Sequence, residues 1–194
     1  MTLTDKQALQ RYMMLAHEAL LWKVEGVSEY DLRRPLVPTG TNLLGLVKHV
    51  ATVEAGYLGD IFDRPFPEVF PWNADDAEDN ADMWATADES SEYILDLYRR
   101  VVEHSDATIE ALPLDTEASV PWWSAEANPV TLHRIIIHMV TELNRHLGHA
   151  DILRELIDGA AGMRADATNL PPVDERWWAE YRARLEETAR GFKG

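Results

Sequence analysis

Apolar residues return at intervals of three and four along most of the chain, the period of helices that bury one face. The stripe Leu9, Tyr12, Met13, Ala16, Ala19 and Leu20 predicts a first helix from about Thr4 to Val24, ended by Gly26. A second is expected from Asn42 to about Phe62, capped by Thr41, with Leu43, Val47, Val50, Tyr57 and Ile61 on its buried side. Pro65, Pro67 and Pro71 then interrupt the pattern. Thr86 and Glu89 have the spacing of a capping box, and a third helix runs on to about Leu112 with the stripe Ile94, Leu97, Val101, Ser105, Ile109 and Leu112. Thr131 is placed to cap a fourth, which continues to Asp158 and closes at Gly159. Asp174 caps a last helix carrying Trp177, Trp178, Tyr181 and Leu185. No stretch shows sustained two-residue alternation or a hairpin signal. The pattern therefore predicts an all-α helical bundle, a single domain over residues 1–194, with long connecting loops and an additional C-terminal helix. The long connection after the second helix implies at least one crossover.

The fourth helix carries a second pattern inside the first. His138, Glu142, His146 and His149 follow one another at steps of four, four and three. At about 100° per residue they lie within roughly ±40° of one line. Ile135 and Leu153 fall on that same line beyond each end, so the polar groups belong to the face a bundle buries. Burying several ionisable groups together is costly unless they are paired or hold a metal ion.

Composition narrows the chemistry. The formal charge of −16 disfavours a nucleic-acid backbone as partner. The acid is most concentrated in Asn73 to Asp82, which reads as a solvated loop. There is no cysteine, so any thiol must come from another molecule. No apolar run reaches the roughly 18 residues of a membrane span, and the start of the chain lacks a basic-then-apolar signal pattern, so a cytoplasmic protein is expected. Neither a glycine-rich phosphate loop nor a G-x-S-x-G elbow is present.

Two side chains at i and i+4 on a helix can reach one metal ion, and Glu142 and His146 have that spacing. His49, on the inner side of the second helix, is the best remaining candidate for a third ligand. Two histidines and one carboxylate would leave coordination positions for water or substrate, and would suit zinc, nonheme iron or nickel. The same residues would equally form a metal-free hydrogen-bond network, and spacing alone leaves both readings open. His138 and His149 read as partners that orient the ligands. His17, His104 and His133 belong to no such constellation. Trp122 and Trp123, on the loop entering the fourth helix, pack there or line a substrate pocket.

These residues carry a resemblance. The segment LWKVEGVSEYDLRRPLVPTGTNLLGLVKHVATVE, then PWW, then HMVTELNRHLGHADILREL, resembles the DinB-like metal-binding bundle proteins over about Leu21 to Gly159. The resemblance implies a four-helix bundle in up-down-down-up order, often dimeric, with a divalent metal at one end. It places the metal on His49, Glu142 and His146. Many members carry three histidines, whereas this chain has Glu142 at the middle position. That version is similar to the branch of mycothiol-dependent maleylpyruvate isomerase and bacterial thiol S-transferases. The expected activity is a divalent-metal-dependent transferase or isomerase that joins a small electrophile to a low-molecular-weight thiol such as mycothiol. The alternatives are a noncatalytic metal-binding stress-response bundle and a metal-assisted hydrolase.

Overall fold

A computed structural model describes residues 2–193. Six α-helices make the frame: α1 Asp5–Val24, α2 Glu29–Arg33, α3 Leu43–Leu58, α4 Ser91–Ala111, α5 Leu132–Asp158 and α6 Glu175–Arg190. The fold is all-α, as the periodicity predicts. Thr4 opens α1 with a reciprocal capping box to Gln7. Thr131 caps α5 through the amide of Arg134, and Gly159 ends it at φ 78°.

Several local readings are corrected. The cap of α3 is Asn42, which accepts from the amide of Gly45, and not Thr41. That helix ends at Leu58, and Asp60–Phe62 continues only as a 3-10 turn. The connection after α1 contains α2, capped by Ser28. Thr86 and Glu89 pair as expected, with the Glu89 carboxylate accepting from the Thr86 amide, but they close a turn outside the helix. Ser90 caps α4 instead. Tyr12, counted in the first stripe, is exposed. A two-residue antiparallel pair joins β1 (Glu117–Ala118) to β2 (Val130–Thr131), too short to leave an alternating signal. The aromatic face of α6 buries no residue.

Side-chain ties fix the order of the four long helices. Lys6 at the start of α1 donates to the carbonyls of Glu110 and Leu112 at the end of α4, so these run in opposite directions. At its other end α1 meets the end of α5. There Lys23 pairs with Asp151 at 2.7 Å, and Arg154 donates to the carbonyls of Trp22, Lys23 and Glu25. α1 and α5 are therefore parallel. Lys48, early in α3, pairs with Glu89 just before α4, whereas His104, late in α4, meets the Arg64 carbonyl just past α3. Those two are parallel as well, and the segment between them is the crossover that makes them so. The order is up-down-down-up.

The crossover lies close on α3. A Cβ at Gly45 would sit 1.8 Å from the Met83 carbonyl oxygen, a separation no atom pair tolerates. Lys48, one turn on and fully buried, donates to the carbonyls of Ala81 and Trp84 and to both Glu89 oxygens. Its burial lowers its pKa, and Glu89 opposes that.

One polar cluster within the core is shared by α1, α3 and α4. His17 Nδ1 is 2.6 Å from the Tyr98 hydroxyl, and His17 Nε2 is 3.5 Å from the fully buried carboxyl of Glu54, beside Ser105. Burial pushes Glu54 up to about 8 and pulls His17 down to about 4. Both are uncharged at neutral pH.

Two outcomes follow. Glu54 keeps in the folded chain a proton that the unfolded chain loses above about pH 4.3, so its contribution to stability declines as pH rises toward its folded value. His17 acts oppositely, but only below about pH 6.5, where the unfolded imidazole takes up a proton. Urea unfolding should therefore show stability falling from about pH 6.5 to 8, and Glu54→Gln should flatten that slope. Ala normally favours a helix over Gly by about 1 kcal/mol. At Gly45 the sign should reverse, with Gly45→Ala destabilising by about 1–3 kcal/mol or more as the Met83 backbone is forced away.

Candidate metal centre

His49 is in the second turn of α3, and Glu142 and His146 are one turn apart in the middle of α5. Because α3 and α5 run antiparallel, the three side chains meet across the seam. Donor atoms from each lie within 4.8 Å of one another. Glu142 Oε1 is the common point, 2.8 Å from His146 Nε2 and 3.7 Å from His49 Nε2. Those two distances bracket the roughly 3.4 Å that separates neighbouring ligands on a tetrahedral ion with bonds of about 2.1 Å. The imidazole rings meet edge to face, 4.7 Å between centroids.

The protonation states suit metal binding. His146 is buried, and burial together with nearby His49 holds its pKa below the usual histidine value. Burial opposes ionisation of Glu142, but the His146 hydrogen bond and the three surrounding histidines outweigh it, so its carboxyl stays below the usual range. His49 Nδ1 lies 2.6 Å from Asp82 Oδ2. That bond assigns the hydrogen to Nδ1 and leaves the Nε2 lone pair facing Glu142. It also holds the Asp82 carboxyl below its ordinary value. Two imidazoles and one carboxylate whose donor atoms converge are a set that fits a divalent ion, with His146 Nε2, which donates to the Glu142 carboxylate at 2.8 Å, giving up that hydrogen on ligation.

Asp82, rather than His138 or His149, makes the hydrogen bond to His49. It ends the acidic run read as solvent-facing, and that reading does hold for the exposed Asp75, Asp76, Glu78 and Asp79. The available signal was the return of apolar residues at Ala81, Met83 and Trp84, which marks where the loop docks. His138 makes no hydrogen bond to the three donors. It packs edge-on to Tyr57 and Trp123, at 4.7 and 5.0 Å, and burial lowers its pKa. His149 is exposed at the rim of the seam, 5.5 Å from the His146 ring. His17 belongs to the core cluster, His104 binds the Arg64 carbonyl, and His133 is exposed.

An open cavity of about 440 Å³ adjoins the cluster. Its lining includes Glu142, Asp82, His138, Tyr57, Asp60 and Trp122. Trp122 is thus a wall of the cavity, while Trp123 packs behind it under the Arg134 guanidinium. Both indoles donate to the Tyr57 hydroxyl, at 2.9 and 2.8 Å, which ties the loop to α3. Tyr57 reads from sequence only as a core position. If Asp82 sets the His49 tautomer, Asp82→Ala should redistribute the hydrogen between Nδ1 and Nε2. Long-range proton–nitrogen NMR at mildly alkaline pH reads this directly, and an unchanged Nδ1–H signal would remove Asp82 from that role.

Comparison with known proteins follows the same lines. A solved structure of a conserved protein from Enterococcus faecalis is similar in fold, with a TM-score of 0.59 and 15% sequence identity over 82% of this chain and 100% of that one. No curated protein matches the sequence. The family model described as mycothiol S-transferase matches residues 8–159, which takes in α1 through α5 and every residue of the His–Glu cluster. On that match, this chain belongs to the mycothiol S-transferase family.

Proposed function

We propose that the protein transfers mycothiol, or a closely similar low-molecular-weight thiol, to a small electrophile, with a divalent ion held by His49, Glu142 and His146. The observation that carries this reading is the convergence of three donors from two helices, one of which, Glu142, lines an open cavity. A bound ion supplies positive charge that favours thiolate over thiol at neutral pH. The donor set suits zinc, and iron or nickel also accept it. The chain has no cysteine, so the reacting sulfur is the cosubstrate's.

The protein's own residues divide the work. Burial favours a neutral His146 and its surroundings an ionised Glu142, ligation would displace the hydrogen that His146 Nε2 shares with Glu142, and Asp82 keeps His49 Nε2 turned inward. Tyr57 and Trp122 give the cavity an apolar wall that limits water near the sulfur. The lining holds Asp60, Asp82 and Glu142 and no lysine or arginine. This environment disfavours a dicarboxylate acceptor, so transfer to an uncharged electrophile fits better than isomerisation of maleylpyruvate.

Titration of zinc into chelator-treated protein tests the ligand set. Glu142→Ala and His146→Ala should abolish tight binding, Asp82→Ala should weaken it about 10–100-fold, and His149→Ala should change it little. The bundle has a continuous apolar core, so circular dichroism should be unchanged by chelator while mycothiol consumption stops. Transfer that persists in verified metal-free protein, or loss of helicity on chelation, would sink the proposal. Parallel assays with bacillithiol and glutathione identify the thiol.

A further inference from the structure

Tyr57 has hydrogen-bonding capacity that the packing leaves unused. A phenol oxygen offers two acceptor positions and one donor. Both acceptor positions are filled, by the indole N–H of Trp122 at 2.9 Å and of Trp123 at 2.8 Å. Among the described residues the hydroxyl donates to nothing, although the side chain is only 7% exposed. The ring is fixed on three sides, by Trp122 and His138 edge-on and by Trp123 at a tilt. What remains is one O–H, held by a rigid aromatic group, on a residue that lines the same cavity as Glu142. Hydrogen bonds in a chain polarise one another, so two donors on the oxygen make its own hydrogen a stronger donor.

We propose that Tyr57 is a catalytic residue that donates a hydrogen bond to the electrophile's oxygen, and that the acceptor class is therefore α,β-unsaturated carbonyl compounds. This rests on the thiol-transferase reading. The thiolate sulfur forms a bond to the β-carbon, the C=C π pair moves into the enolate, and negative charge develops on the oxygen that faces Tyr57. The α-carbon then takes a proton from water, which balances the proton released when the thiol became thiolate. Tyr57 keeps its hydrogen throughout. Its service is electrostatic, a preorganised donor aimed where charge appears. Tyr57 and Glu142 line the same cavity, so sulfur and carbonyl are bound against the same wall system.

The test pairs two electrophiles of similar size that differ in the need for an oxyanion donor: 4-phenyl-3-buten-2-one, which forms an enolate, and monobromobimane, which expels bromide. In Tyr57→Phe, mycothiol transfer to the enone should fall roughly 100-fold while transfer to the bimane stays within about threefold of wild type. Equal loss with both electrophiles would show that Tyr57 only supports the Trp122–Trp123 loop, and no loss with either would show that it does nothing in the reaction. Both results overturn the proposal. A second arm is independent of turnover. The saturated ketone 4-phenyl-2-butanone is bound to metal-free protein, and its carbonyl stretch is recorded by infrared difference spectroscopy. The stretch should move to lower wavenumber in wild type and not in Tyr57→Phe. An unshifted carbonyl, or no binding of the ketone, overturns the proposal. If wild type transfers mycothiol to neither electrophile, the transferase reading fails, and the infrared arm still decides whether Tyr57 is a carbonyl donor.

Discussion

The site depends on how closely the crossover segment can lie on α3. Gly45, Lys48 and His49 are spaced i, i+3 and i+4, so they form one patch on the helix surface. Each meets the segment in a different way. Gly45 provides space for the Met83 carbonyl, Lys48 binds two further carbonyls and the Glu89 carboxylate, and His49 binds Asp82. A buried ammonium is expensive to desolvate and is tolerated only when its donors are satisfied. Lys48 meets that condition, and its partners, two carbonyls and the Glu89 carboxylate, come from a segment brought within reach by the missing side chain at Gly45. The tautomer of His49 is thus a downstream result of a packing contact made one turn earlier.

A second level of organisation joins the antiparallel pair α3 and α5. The donor cluster and the tyrosine–tryptophan knot are separate contacts along the same seam, two turns apart on α3. Rigid helices fix the donors, and the loop that carries Trp122 and Trp123 is fastened to one of those helices through a single phenol oxygen. Partnering here is incomplete: His146 Nδ1 is buried without a hydrogen-bond partner, and the Tyr57 hydroxyl accepts twice and donates to no described residue. The other buried cluster, around Glu54, follows a different rule: it avoids desolvation cost by remaining uncharged.

The helices and the triad were legible in the sequence because both follow from periodicity. Helical spacing placed Glu142 and His146 on one face, and His49 on the inner side of its helix, with no tertiary information. The miscast residues are those whose role depends on what lies opposite. His149 lies about 60° round the helix from His146, far enough to be exposed while Ala150 and Leu153 beyond it remain buried. Asp82 sits in a run of acids most of which do face solvent, and only the docked backbone distinguishes it. Tyr57 looks like ordinary core until two indole donors from a distant loop are seen on its oxygen. Capping choices, Thr41 against Asn42 one residue apart and Thr86 against Ser90 four apart, fell between chemically similar side chains that are equally able to start a helix.

The donor atoms belong to helices, while much of the cavity wall belongs to the two connections around them, and this makes the two properties separable. Residues of the Trp122 loop can be exchanged to alter which molecules enter without moving an imidazole. Asp82 is the exception, since it lines the cavity and also holds His49. A substitution there cannot tune selectivity alone: any change in what the pocket admits arrives with a change in the setting of His49, and the residue is held in place by two unrelated requirements at once.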